Sequence, residues 1–369
     1  MAAIMRDCFK HFDTGGDDMT LSAYEQQEWD KLQKRKAASL SKEARKILPQ
    51  SARDRLASLG QKVKSAPGAD KVAAAYGGAA RGLGKAVGDT ASRTVSKKRV
   101  AEQYRRAGHD VAGLDQIREL DLRVVDEVTR HNLLRYGHAL SAAATGLGSA
   151  AAVTGGEVLA SAGTIAGAGA GAAPGFGTVA GAMAADTAMM LALSTRAVAA
   201  TALYYGYDPS DPEEEIFVMS VIALGMSTGT SAKTAAYAEL SQLTQLLVRN
   251  APWAKLNEKV LTKIAQAFAA KFTQQLPKKK LGQFVPVAGM AVGAGLSYML
   301  IDRIAVSARD AYRERFLIEK SGGDLTGDLE YGDADLVQDD DTIGVFELLQ
   351  EEDALPTSTP SDTSDQPDN

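Results

Sequence analysis

The chain has 369 residues with 46 acidic and 41 basic side chains, which gives a formal net charge of −5 at pH 7. This length allows one large domain or two small ones, and the single cysteine, Cys8, excludes a disulfide framework and a cysteine-rich metal site. The first residues lack the basic and then apolar pattern of a secretory signal, so none is expected.

Charge is distributed unevenly along the chain. Residues 321–369 contain fifteen acidic and no basic side chains, so residues 1–320 hold 41 basic and 31 acidic ones. Most of the basic excess lies between Lys31 and Arg106, where twenty basic side chains outnumber five acidic ones. We call this segment the basic arm and residues 321–369 the acidic tail. Because tethered opposite charges attract each other, the sequence predicts a loose, salt-sensitive contact between arm and tail that opposes binding of the arm to anionic lipid.

The first helix is predicted to follow a disordered N-terminus, residues 1–20. Ser22 and Glu25 have the spacing of a capping box, in which each side chain accepts a hydrogen bond from the backbone N–H of the other residue. The helix is predicted to continue to Leu40. Further helical pieces, broken by proline and glycine, complete a basic helical region and linker over residues 21–110.

The predicted core covers residues 111–320 and begins with a helix over Leu114–Leu140, where apolar side chains recur at helical spacing. A helical hairpin rich in glycine and alanine follows over Glu157–Tyr207, interrupted at Pro174. The uncharged segment 158–185 is long enough to span a bilayer, although its small side chains contribute little transfer free energy. Glycines at four-residue spacing, a glycine zipper, are predicted to let helices pack closely at Gly163, Gly167, Gly171, Gly175, Gly289 and Gly293.

Later helices are predicted from their starts, faces and stops. Asp211 precedes Pro212 and three glutamates, which predicts a helix start with Asp211 as the side-chain cap. The next helix is predicted to end at Asn250, and the one after it at Pro277. Their predicted buried faces consist of Ala236, Leu240, Leu243, Leu247, Val260, Ile264, Phe268 and Phe272.

No segment shows the alternation of a strand, so the sequence predicts an all-α fold, a helical bundle around the hairpin. The acidic tail, residues 321–369, is predicted to be disordered because it has few apolar residues and a high net charge. Within it, IGVFELLQEE at residues 343–352 is predicted to form a short binding helix.

Two charged residues interrupt an otherwise apolar helix. Asp186 and Arg196 lie there ten residues apart, and a charge in such surroundings needs a partner or water. The favoured interpretation is pairing with neighbouring helices. The alternative is a polar site formed by Asp186, Arg196 and Asp208 in an enzyme.

Neither a metal nor a cofactor is predicted. His131 and His138 lie near one helix face with Glu127, but the second Glu-x-x-His pair of a helical metal site is missing. The acidic residues around Asp211 could bind a cation or take part in acid–base chemistry, although helix capping accounts for them better. These residues are Asp208, Asp211, Glu213, Glu214 and Glu215.

Three segments of the chain resemble the EcsC protein family: LSAYEQQEWDKL at 21–32, residues 185–224, and residues 278–316. The resemblance covers roughly residues 20–320 and is weakest over 49–110. Its signature residues are Tyr205, Gly206, Tyr207, Asp208, Asp211, Pro212 and Glu213. The family is named for a protein encoded beside an ABC transporter, and its activity is not established. The resemblance therefore implies a helical, membrane-associated bacterial protein and supplies no catalytic residues.

Three functional hypotheses follow. The preferred one is a non-enzymatic cytoplasmic protein on the inner face of the cell membrane, whose basic side chains contact anionic lipid and whose Gly/Ala helices pack or insert. The resemblance adds a membrane protein or transporter as a partner. The alternatives are an enzyme with a site between the core helices and a soluble module that binds partners through the acidic tail. Nucleic acid is not expected as a partner, because aromatic residues are sparse in the basic arm.

Overall fold

The computed structural model describes residues 21–41, 96–130, 176–280, 289–323, 325 and 342–356. Within these ranges, only the backbone is described for residues 176–188, 276–280 and 289–297. The described chain is helical and contains no strand, so the predicted all-α fold is confirmed.

Ten helices make up the described part of the chain. Nine of them have both ends defined, and the remaining one, α4, covers residues 122–130. The other nine are α1 (Ala23–Ser41), α2 (Lys97–Arg106), α3 (Asp115–Glu119), α5 (Phe176–Tyr204), α6 (Pro212–Met226), α7 (Thr230–Val248), α8 (Glu258–Lys280), α9 (Gly289–Lys320) and α10 (Val345–Glu351).

Helix α9 is the central element of the bundle, because it packs most extensively against α5 and α6. The ring of Tyr205, which directly follows α5, lies 6.2 Å from the ring of Phe316 near the C-terminal end of α9. The two long helices therefore run side by side in the same direction, with their C-terminal ends together. Helix α6 runs the opposite way, since its first turn meets α9 at Arg315 through Glu214 and its last turn meets α9 at Ile304.

Gly225 lets α6 cross closely over α9. A Cβ at this position would lie 2.6 Å from Cγ1 and 2.7 Å from Cα of Ile304. Gly289 and Gly293 lie in α9 where only the backbone is described, and the other four zipper glycines lie outside the described residues. The glycine zipper therefore stays a prediction.

The capping box at the start of α1 is confirmed. The backbone N–H of Ser22 donates to Oε2 of Glu25 at 2.8 Å, and the backbone N–H of Glu25 donates to Oγ of Ser22 at 3.3 Å. The other carboxylate oxygen of Glu25 accepts the N–H of Leu122 at the start of α4. One glutamate thus fixes two helix ends.

The predicted helix over Leu114–Leu140 is divided into α3 and α4. Leu120 has an extended backbone (ψ 157°), and the side chain of Asp121 accepts the N–H of Arg123 at 2.8 Å. Because an aspartate can satisfy the unpaired donors at a helix start, it ends the regular pattern there and begins a new helix.

Helices α7 and α8 bury the faces that the sequence predicts. The four α7 side chains are all buried, as are Ile264, Phe268 and Phe272 of α8, and Val260 is partly buried. Helix α8 nevertheless continues through Pro277 to Lys280, so the predicted stop at Pro277 is wrong. A proline removes one N–H donor, and the lysines that follow are good helix formers placed where the helix dipole favours positive charge.

The expectation of a disordered tail is wrong for residues 342–356. They contain α10, which packs against α8 and α6 and buries Val345, Phe346, Leu348 and Leu349. The short helix predicted at residues 343–352 is confirmed, because four apolar side chains within two turns provide the burial that the average composition of the tail conceals, and its binding role stays a prediction. The rest of the tail beyond Leu325 lies outside the described residues.

The described part of the tail contacts α8 and the residues just before it. Carboxylates of the tail form ion pairs with Lys255, Lys263 and Lys271. Residues 42–95 of the basic arm lie outside the described residues, so the predicted contact between arm and tail stays a prediction.

None of the helices in the described residues is long and apolar enough to cross a bilayer. The proposed first arm of the hairpin, including Gly163 to Gly175, lies outside that part of the chain.

Candidate functional site

A polar cleft of about 650 Å³ opens where α5 turns into α6. Five of the seven family-signature residues line it, and its other walls are formed by charged side chains from α2, α3 and α9 and by the end of α7 with the segment that follows it. The lining signature residues are Gly206, Tyr207, Asp208, Asp211 and Glu213. The cleft is therefore the candidate functional site of the described chain.

Gly206 sets the sharp turn between α5 and the cleft. Its φ is +87°, and its N–H donates to the carbonyl of Leu203, while the N–H of Tyr207 donates to that of Ala202. Helices often end with one residue in the left-handed conformation, and glycine is favoured at that position. A Cβ on Gly206 would also lie 2.7 Å from the carbonyl oxygen of Leu114, so the turn packs directly on the segment before α3.

Tyr207 lies buried between two guanidinium groups. Arg315 is 4.1 Å from its ring centroid and Arg118 is 5.6 Å away, and the Tyr207 hydroxyl donates to Glu319 at 3.0 Å. Burial, with Glu319 nearby, raises the pKa of Tyr207 well above its ordinary value. The tyrosine is therefore a neutral hydrogen-bond donor in this site.

A buried ion pair forms the floor of the cleft. Arg315 of α9 pairs with Glu214 in the first turn of α6, and its Nε also donates to Glu319 at 2.7 Å. Arg315 and Glu214 are 5% and 4% exposed. Burial lowers the pKa of Arg315, but Glu214 and Tyr207 outweigh this effect and raise it overall. Burial outweighs Arg315 and raises the pKa of Glu214, so the Glu214 charge depends on the guanidinium beside it. The pair joins α6 to α9.

A second network lies next to the first on α9. Arg313 pairs with Glu28 of α1 at 2.8 Å and with Asp126 of α4 at 2.5 Å, and the Tyr24 hydroxyl donates to Asp126. Burial and the hydrogen bond to Asp126 raise the pKa of Tyr24 to about 12. Lys320 extends the network by pairing with the capping-box glutamate at 2.6 Å. The last turns of α9 therefore tie α1, α4 and α6 together.

The acidic signature residues have different surroundings. Asp208 forms an ion pair with Lys97 and accepts the N–H of Ser210; burial opposes ionisation, but these contacts lower the pKa of Asp208 overall. Burial, Asp208 and Glu213 raise the pKa of Asp211.

The predicted helix start at Pro212 is confirmed, but the predicted side-chain cap is wrong. The Asp211 side chain makes no capping hydrogen bond and lines the cleft instead, while its backbone carbonyl accepts the N–H of Glu215. The turn bond from the Asp211 N–H to the Asp208 carbonyl fixes this orientation. Capping also fails to explain Glu214, which is the partner of Arg315.

Of the predicted polar site formed by Asp186, Arg196 and Asp208, only one side chain is located in the cleft. Asp208 lines the cleft, Arg196 is not among the lining residues, and the Asp186 side chain lies outside the described side chains. Both Asp186 and Arg196 lie in the continuous helix α5, ten residues and thus about 15 Å apart along its axis. A site that joins all three stays a prediction.

The chemistry available in the cleft is limited to carboxylates, cations, amides and aromatic rings. Among the described residues, no group of three histidine, cysteine, aspartate or glutamate side chains is placed to hold a metal. The lining of the cleft, among the described residues, contains no serine, cysteine or histidine. The arrangement can bind a polar group through Lys97, Arg118 and the signature carboxylates.

Lys97, Arg118 and Arg315 are site residues that no motif in the sequence marks. The available signal was the position of Arg315 between Tyr312 and Phe316, next to an apolar stripe, where a charge requires a buried partner. The identity of that partner depends on the fold.

The opposite end of α9 has a different character. Tyr298, Met299 and Val306 are 46%, 51% and 43% exposed, unlike the other large apolar side chains of the described core. Met299 and Val306 are seven residues apart and share a helix face, on which exposed Asp302 and Arg303 lie between them. We call these three residues the apolar patch.

Comparison with known proteins places these features in a family. A model described as "EcsC protein family" matches residues 20–317. The chain is 27% identical over 140 residues to the uncharacterized protein YdbA of Bacillus subtilis, which covers 37% of this chain and 48% of that protein. It is 25% identical over 154 residues to protein EcsC of Bacillus subtilis, covering 41% and 59% respectively. The chain thus spans about half the length of these curated relatives, and no solved structure matches it.

Proposed function

Because the chain belongs to the EcsC protein family, we propose that it is a non-enzymatic helical protein on the cytoplasmic face of the cell membrane. Its uncharged end contacts the lipid, and its charged end, with the signature cleft, lies in water.

The observation that carries this proposal is the common direction of α5 and α9. Their N-terminal halves belong to two uncharged sequences, 176–185 and 281–301, and parallel packing brings the two halves to the same end of the bundle. Ile301 and Phe316 are fifteen residues apart, so this end is about 22 Å from the ion pairs around Phe316. The N-terminal and C-terminal ends of α9 therefore lie in an uncharged and a charged part of the bundle, respectively.

The apolar patch supports the same orientation. Tyr298 and Met299 lie within the uncharged run of α9, Val306 follows it beyond Asp302 and Arg303, and all three remain exposed in the isolated chain. Burying large apolar side chains is favourable by about 1.5–3 kcal/mol each when burial is complete. Tyrosine is, in addition, enriched where protein meets the membrane surface.

The same end provides a surface for a membrane protein. A transporter is the class of partner that the family name suggests, and contact within the membrane would place it beside the N-terminal halves of α5 and α9. Small residues there, such as Gly289 and Gly293, favour close helix packing in lipid.

Serine substitutions in the apolar patch are expected to weaken membrane binding. The variant Tyr298→Ser/Met299→Ser/Val306→Ser should bind phosphatidylcholine vesicles at least about tenfold more weakly, because three half-exposed side chains each lose about 1 kcal/mol of burial. Flotation of the full-length chain measures this. Neutral vesicles exclude a contribution from anionic lipid.

A matched control replaces exposed polar residues of α1 without changing the net charge. The variant Gln27→Ser/Asp30→Ser/Lys34→Ser should float like the unmodified chain, since these residues lie at the charged end. Equal flotation of the apolar-patch variant and this control would contradict the proposed orientation.

A further inference from the structure

The C-terminal segment 342–356 is docked on the bundle as a short amphipathic helix. Val345, Leu348 and Leu349 of α10 are almost completely buried against α8 and α6, and Phe346 is 6% exposed. A helix of seven residues is not stable alone in water. The surface of α6, α7 and α8 beneath it, which we call the α10 seat, therefore determines its structure.

Charge pairs set the direction of the docked segment. Lys271 pairs with Glu347 at 2.5 Å, Lys263 with Glu352 at 2.7 Å, and Lys255 with Asp353 at 2.6 Å. The lysines are spaced at intervals of eight residues and meet the carboxylates in reverse order, so α10 runs antiparallel to α8. All three pairs are partly exposed, so each contributes little stability. Their main contribution is charge complementarity between the lysines of the seat and the carboxylates of the docked segment.

Glu239 of α7 holds the first residues of α10 from below. Its buried carboxylate accepts the N–H of Val345 at 3.0 Å, and the Thr342 hydroxyl donates to the carbonyl of Ala232. Gly344 keeps this contact close, since a Cβ there would lie 3.2 Å from Oε1 of Glu239. The seat thus recognises backbone N–H groups as well as acidic and apolar side chains.

The connection to the bundle allows the segment to leave its seat. Residues 324–341 join it to the end of α9 and could span about 60 Å when extended. Release would leave the contacts of α9 with α1, α5 and α6 in place.

We propose that the α10 seat is a binding surface for an acidic amphipathic helix of a partner protein, and that residues 342–356 occupy it until such a helix displaces them. The proposal does not depend on membrane association. The partner helix carries apolar side chains at the spacing of Val345, Phe346, Leu348 and Leu349, and carboxylates opposite the three lysines.

A polypeptide partner fits the seat better than anionic lipid. A lipid phosphate could pair with Lys263 or Lys271, but it would meet the Glu239 carboxylate without offering the N–H donors that this group accepts. An unpaired buried carboxylate is costly. The seat therefore selects a helix N-terminus that provides them.

Displacement of the segment can be measured in the full-length chain with a fluorescent peptide of residues 342–356. The variant Leu348→Asp/Leu349→Asp should vacate the seat and bind this peptide at least tenfold more tightly than the unmodified chain. Adding Lys263→Glu/Lys271→Glu, which places like charges opposite Glu347 and Glu352, should weaken binding at least tenfold, and a peptide carrying Glu347→Lys/Glu352→Lys should restore it. No peptide binding by the folded vacated variant, failed restoration, or preferential binding to phosphatidylglycerol vesicles would overturn the proposal.

A second measurement avoids the substitutions in α10. Excess peptide should accelerate amide hydrogen exchange across 345–351 of the unmodified chain, because the peptide and the tethered helix compete for one seat. Unchanged exchange at saturating peptide would show that the segment is not displaceable.

Peptide binding should also depend on pH in a characteristic way. Burial raises the pKa of Glu239 to about 7; the N–H groups of Val345 and Phe346 and Lys271 of α8 oppose this, and Glu347 adds to it. Opening the seat admits water to Glu239 and moves its pKa back toward the ordinary value, so docking is coupled to uptake of a proton below about pH 7. Occupancy is thus favoured at low pH and is weakened as the pH rises through about 7.

Between pH 6 and pH 8 the affinity of the vacated variant for the peptide should fall about tenfold. Adding Glu239→Gln should remove most of this dependence, since the amide oxygen still accepts an N–H but does not titrate. The same fall in the glutamine variant would rule out Glu239 as its source.

Discussion

Replacing Arg315 with methionine is expected to lower the free energy of unfolding by about 3–5 kcal/mol. The substitution removes the partner of Glu214, whose side chain is buried in the first turn of α6, and leaves a carboxylate without its cation. It also removes the guanidinium that stacks on Tyr207. Urea unfolding of the full-length chain, followed by helical circular dichroism, measures the change.

Two variants separate the lost pair from lost packing. The double variant Arg315→Met/Glu214→Met should regain most of the stability, because a buried pair replaced by apolar side chains of similar size is often close to neutral. Arg106→Met, which breaks an exposed pair with Glu102, should cost less than about 1 kcal/mol. A cost that small for Arg315→Met itself would show that the buried pair does not join α6 to α9.

Alanine at Gly206 is expected to destabilise the protein by about 2–5 kcal/mol. Two effects add: the φ of +87° is unfavourable for a residue with a Cβ, and the new Cβ would lie 2.7 Å from the carbonyl oxygen of Leu114. The backbone oxygen cannot move without shifting the segment before α3. The same unfolding experiment applies.

Gly108 offers a matched control, because its φ is +91° but nothing lies within 4 Å of its would-be Cβ. Gly108→Ala should therefore cost only about 1 kcal/mol, the strain of a positive φ without a clash. Equal costs at the two positions would mean that the contact with Leu114 has no importance for stability.

The sequence was most informative where structure is local. The capping box of Ser22 and Glu25, the start of α6 at Pro212 and the buried faces of α7 and α8 depend on residues within a few turns of each other. Spacing alone therefore predicts them.

Local patterns fail where two opposing signals meet. Asp121 interrupts an apolar periodicity that continues on both sides, and Pro277 does not outweigh the lysines that follow it. In the tail, the overall acidic composition predicted disorder, whereas the apolar side chains around Leu348 predicted the short helix that the structure contains.

The candidate site could be located from the sequence but not assembled from it. The family signature marks the turn at Gly206, yet Lys97 lies 111 residues before Asp208 and Arg315 lies 101 residues after Glu214. Such pairings depend on helix packing and produce no recognisable spacing pattern in the sequence. The roles of Tyr207 and Glu214 became evident only when their partners on α9 were known.

The central claim, that the end of the bundle carrying the apolar patch faces lipid, is tested most directly by thiol labelling of the full-length chain bound to neutral phosphatidylcholine vesicles. In a Cys8→Ser background, one cysteine is placed at Met299 and, in a second variant, at exposed Lys98 of α2. With a water-soluble, membrane-impermeant maleimide, we expect rapid labelling at position 98 and labelling at position 299 only after detergent is added. Equal labelling at both positions before detergent would contradict the claim.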